Sequence, residues 1–84
     1  MPYIRKNERE ILEPLVNQLA NQCATSGDFT YAIYLLAKRM LPFAPTYYHL
    51  SNIMGCLDCA SKEFYRRIVA PYEDKKIVEN GDVE

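Results

Sequence analysis

Thr46 to Ala70, TYYHLSNIMGCLDCASKEFYRRIVA, is the stretch on which the fold reading of this 84-residue chain turns. Its apolar positions fall at Tyr47, Leu50, Met54, Leu57, Phe64 and Ile68, and Ser61 occupies the remaining place in the series. The steps alternate between three and four residues, which lays one stripe along an α-helix. A second row of Ile53, Cys56 and Ala60 widens the stripe to the breadth of a core-facing helix. Gly55 inside this helix costs roughly 1 kcal/mol against alanine, and the expected return is close approach by another helix backbone. Thr46 is the expected cap, and Pro71 the expected stop.

Upstream, Asn7 followed by Glu10 fits a helix N-cap with its reciprocal partner. Ile11/Leu12, Leu15/Val16, Leu19/Ala20 and Cys23 then repeat at helical spacing, with Pro14 interrupting the donor series and predicting a kink or an entry turn. Ser26-Gly27 reads as the stop, with Gly27 in the left-handed position after the helix. Asp28 or Thr30 caps a second helix, TYAIYLLAKRML, which is apolar on most sides and therefore central or at a subunit contact. Pro42 ends it, and LPFAP forms a stiff connector, because Pro45 disfavours helix at Ala44. The expectation is one all-α domain over 1–84. It holds a three-helix antiparallel arrangement with helices at about 7–25, 29–41 and 46–70, and an extended C-terminal arm over 71–84.

Antiparallel packing of one chain leaves the end of the third helix over, with Phe64, Tyr65 and Ile68 in need of burial. The expected solution is a second copy, in a homodimer or a higher oligomer. An 84-residue chain is also near the lower size limit for a self-sufficient core. Three cysteines cannot all pair within it, so disulfides are not the expected staple. The opening MPYIRKNERE has no apolar signal-peptide core, and no run approaches a membrane span. The expectation is a cytoplasmic protein with reduced thiols, in the host cytoplasm if the chain is viral, and with no membrane partner.

Charge is unevenly placed. Residues 1–72 carry eight Lys/Arg against six Asp/Glu, whereas residues 73–84 carry two against five. The acidic end reads as a solvated tail, and with the net charge of −1 it argues against nucleic acid as a partner.

The same stretch holds most of the residues that could carry chemistry. Cys56-Leu57-Asp58-Cys59 matches C-x-x-C, but it sits mid-helix with no preceding strand, and it lacks two further zinc ligands at workable spacing. Core packing is the expected role of these cysteines. His49 is the only histidine and belongs to no nucleophile motif, so a solvent-facing or hydrogen-bonded ring is expected. Glu8, Glu10 and Glu13 complement the positive end of the first helix. No phosphate-cradling glycine loop is present. No catalytic residue, metal or cofactor is assigned, and the chain reads as non-enzymatic. The best candidate surface is Lys62, Tyr65, Arg66 and Arg67, ligand-binding residues for a phosphorylated or nucleotide-like anion. Lys62 and Arg66 share a face, Tyr65 offers a stacking plane, and Glu63 is expected to pair with Arg67.

EFYRRIVAPYEDKKIVENGDV, with the opening MPYI and the GDFTYAI segment, resembles a family of small uncharacterised proteins of tailed phages and bacterial genomes. The resemblance spans most of the chain. It implies an all-helical fold and a mobile-element setting, and it carries over no functional residue. The residues suggest a ligand-binding or an adaptor role, and the host setting of the two expected functions is what the resemblance implies. One is a small binding protein that sequesters a phosphorylated ligand in host counter-defence. The other is an adaptor that engages a host protein through the second helix or the acidic arm.

Overall fold

The computed structural model describes residues 2–84 and is all-α, with no strand among the described residues. Helix α1 runs Lys6–Gln22, α2 runs Ser26–Arg39 and α3 runs Tyr47–Phe64. A π-helical turn, Tyr65–Val69, then joins α3 without interruption to α4, Ala70–Asn80. The third helix is thus one rod of 34 residues. The chain divides into two units, one containing Tyr3–Ile53 and one containing Met54–Glu84.

Local chemistry explains each boundary. The N-cap of α1 is Arg5 in extended conformation, with no side-chain cap, and Asn7 lies inside the helix rather than before it. The Arg9 guanidinium donates to the Ile4 carbonyl at 2.9 Å, tying down the entry that Asn7 was expected to cap. Pro14 sits within α1, which is assigned as continuous helix from Lys6 to Gln22.

The second helix begins earlier than the residue pattern indicates. Thr25, not Asp28 or Thr30, is the N-cap, and its hydroxyl accepts from the Asp28 amide at 3.1 Å. The Asp28 carboxylate returns the favour by accepting from the Ala24 and Thr25 amides at 2.9 and 3.2 Å. This is a capping box built on Asp. It draws Ser26 and Gly27 into the first turn, so Gly27 starts a helix instead of ending one, and its φ is not positive.

At α3, the Thr46 amide donates to His49 Nδ1 at 3.0 Å, and Thr46 carbonyl accepts from Leu50. His49 therefore takes the place that Glu or Gln fills in the usual reciprocal cap. An accepting Nδ1 places the neutral ring's proton on Nε2.

Pro71 does not stop the helix. It has no amide proton, and its ring crowds the carbonyl four residues earlier, that of Arg67. The chain relieves this by widening one turn, and the Ala70 amide bonds Tyr65 carbonyl, five residues back. Ala70 stays α-helical before the proline, with φ −59° and ψ −45°. The arm expected to be extended over 71–84 is consequently helical to Asn80. It ends at Gly81, whose φ of +87° excludes most side chains and whose amide reaches the Ile77 carbonyl at 2.8 Å.

None of the described residues is buried. In the Tyr3–Ile53 unit, Ala32, Leu35, Ala37 and Leu41 are half-buried, while Ile11, Leu15, Val16, Phe29, Tyr34 and Leu36 are exposed. In the Met54–Glu84 unit, Phe64 is 61% and Ile68 57% exposed. No described helix is long and apolar enough to cross a membrane.

Candidate ligand-binding surface

Lys62, Tyr65, Arg66 and Arg67 lie where α3 passes into the π turn. Their partners differ from those the sequence implies. Lys62 Nζ pairs with Asp58 at 2.7 Å, one turn back, and that carboxylate raises the lysine's pKa through the hydrogen bond and the charge. Arg66 takes Glu63, through Nη2 at 2.7 Å and Nε at 3.2 Å. Glu63 was expected to hold Arg67; instead it pairs with Arg66, and among the described residues no hydrogen bond or ion pair places a partner on Arg67. The tyrosine is drawn away as well. Tyr65 Oη donates to Glu73 on the first turn of α4, and this bond keeps the phenol protonated to higher pH than usual.

The bond between Tyr65 and Glu73 spans eight residues. In a plain α-helix, residues eight apart stand about 80° out of line, at 100° per residue. The extra residue taken up by the π turn brings them together. The four candidate residues are thus neighbours on one stretch of helix, but three of them are already engaged by carboxylates of the same helix. As it stands, the surface is a set of short-range pairings in which, among the described residues, the Arg67 guanidinium is the uncommitted one.

The remaining chemistry-bearing residues stay apart. Cys56 and Cys59 are exposed and Cys23 is half-buried, so the packing role expected for the C-x-x-C pair is not met within the chain. All three thiols are free. Among the described residues no three of His, Cys, Asp or Glu are grouped so as to hold a metal ion. His49 is half-buried, capping α3, with the Tyr48 ring edge-on at 5.8 Å. Sequence reasoning missed the two features that shape this surface, the π turn and Glu73 as a tyrosine partner. The signal for both was Pro71 at the position where the heptad spacing calls for an apolar side chain.

No curated protein and no solved structure matches the chain. A family model described as a domain of unknown function, DUF6899, matches residues 1–83. That match takes in both units and all of the surface described above, and the chain belongs to the DUF6899 family.

Proposed function

We propose that this chain is a non-enzymatic interaction module that works as an assembly of its own copies. One observation carries the reading: no described residue is buried, while every helix presents large apolar side chains. Burial of such side chains is the main favourable term in folding, and a chain that buries none of them fully has little of it. Contacts with other chains supply the missing burial. The resemblance to small phage proteins supports a phage-type role in the host cytoplasm, with a host protein as a further partner of α2 or of the acidic end. Light scattering tests the first step. An oligomer is expected, and a 9.8 kDa species at all accessible concentrations overturns the reading.

A second reading is favoured by the exposure of the ion pairs. The Lys62 and Asp58 side chains are 76% and 60% exposed. Surface pairs of this kind contribute little, so a phosphate with two charges can displace the carboxylates. Lys62, Arg66 and Arg67 would then hold the anion, with Tyr65 against a base. A ligand at 100 times its dissociation constant adds about 2.7 kcal/mol of stability. Unchanged melting across mono-, di- and cyclic nucleotides would remove this reading.

A further inference from the structure

We infer that the apolar seam of the long third helix, from Tyr47 to Tyr72, is the surface on which a second copy of the same helix docks. The inference rests on the reading of the chain as a self-associating module and names the surface that does the work.

The first argument is local. The Met54–Glu84 unit consists of one rod, four residues after it and, among the described residues, Pro2. Leu57, Phe64, Ile68 and Tyr72 are exposed there, and an isolated amphipathic helix in water has little stability of its own. The second argument is the spacing. Tyr47, Leu50, Met54, Leu57, Ser61, Phe64 and Ile68 keep the alternation of four and three that marks a two-helix seam over three heptads. Leu50, Leu57 and Phe64 stand seven apart, and the next place in that row would be Pro71. The π turn absorbs one residue and delivers Tyr72 to that place, 61% exposed. The alignment of Tyr65 with Glu73 is the visible sign of the same one-residue shift. The wide turn therefore continues the seam past a proline that would otherwise interrupt it.

The third argument is area. The chain exposes 7875 Å². A folded monomer of 9.8 kDa exposes about 5,200 Å². The difference, roughly 2,700 Å² per chain, is enough for the 2,000–5,000 Å² that obligate homodimers bury in total. Charge fits as well. The pairs Asp58–Lys62 and Glu63–Arg66 lie off the stripe, which leaves the seam itself free of charge from Tyr47 to Phe64.

The test uses the full chain with Cys23, Cys56 and Cys59 replaced by alanine. Ser61→Cys in this background puts a thiol in the seam, and restoring Cys59 alone puts one about 160° around the helix from it. A short thiol-to-thiol cross-linker is expected to trap the Ser61→Cys chains as dimers and to leave the Cys59 chains uncoupled. Separately, Phe64→Asp is expected to reduce the parent's solution mass, with circular dichroism reporting whether helix survives. An oligomeric parent whose Ser61→Cys chains stay uncoupled, or couple only through Cys59, overturns the seam while leaving self-association standing. A monomeric parent overturns both. If Phe64→Asp abolishes helicity altogether, the cross-linking result alone decides.

Discussion

Single residues set where these helices begin, and two of them make opposite predictions about space. Gly55 has nothing within 4 Å of where a Cβ would stand. The close helix approach expected of it is not made by any of the described residues, and around the helix it lies away from the apolar seam. Gly55→Ala is therefore expected to stabilise the protein by about 1 kcal/mol, the helix-propensity difference, as read by urea unfolding. A loss of stability would mean that another backbone packs there after all. At Thr25 the sign reverses. Its hydroxyl completes the capping box of α2, and Thr25→Ala should remove about 1 kcal/mol. Asp28, the other half of the box, makes that end of the helix sensitive to acid. The Ala24 and Thr25 amides hold its carboxyl below the usual carboxylate range. A depressed folded-state pKa contributes stability above the unfolded value, and the contribution is lost as pH falls through the folded one. Asp28→Asn should flatten that acid limb of the unfolding curve, and an unchanged limb would show that the cap does not set it.

At the scale of the element, the π turn and the bond across it belong together. Tyr65 donates to Glu73 over Pro71, and that partner, followed by its charge, raises the phenol pKa above 10.0. A raised folded-state pKa means that the contribution is whole below the unfolded value and disappears as pH climbs through the folded one. Helicity of Ala70–Asn80 should therefore fall at strongly alkaline pH in the parent. In Tyr65→Phe, amide exchange over residues 70–80 should already be faster at neutral pH, and the alkaline change should be absent. Equal exchange in the two proteins would show that the bond does not hold α4. The same segment shows how far residue patterns reach. The third helix was legible through Ile68, because its spacing depends only on residues three and four apart. Its continuation was not, because Pro71 is a helix breaker by every local rule, and the remedy is a change in turn width. Gly27 misled for a related reason. Glycine permits a left-handed stop, but the Thr25–Asp28 box competes for the same residues and wins. At the candidate site the residues were legible as a cluster. Their pairings were not, because whether Glu63 turns to Arg66 or Arg67 is decided by rotamer and by the turn beneath them.

For the whole molecule, the question is where the apolar surface goes, and mass action gives the answer a measurable form. A chain stabilised by its own buried core unfolds at a temperature independent of concentration. One stabilised by burial against copies of itself does not, because dissociation and unfolding occur together and dilution favours both. Phe64 and Ile68, more than half exposed in the single chain, are the residues whose burial would be lost. For a dimer, each tenfold dilution removes about 1.4 kcal/mol of apparent stability. Spread over the unfolding entropy of two such chains, that lowers the midpoint by about 3–5 °C. A dilution series followed by circular dichroism should show that slope in the parent, and the Gly55→Ala line should run parallel to it at higher temperature. Phe64→Asp should give a flat line or no transition. A flat line for the parent, with full helicity retained, would mean that the chain buries its apolar side chains without a second copy. The seam would then have to be sought by a different kind of partner.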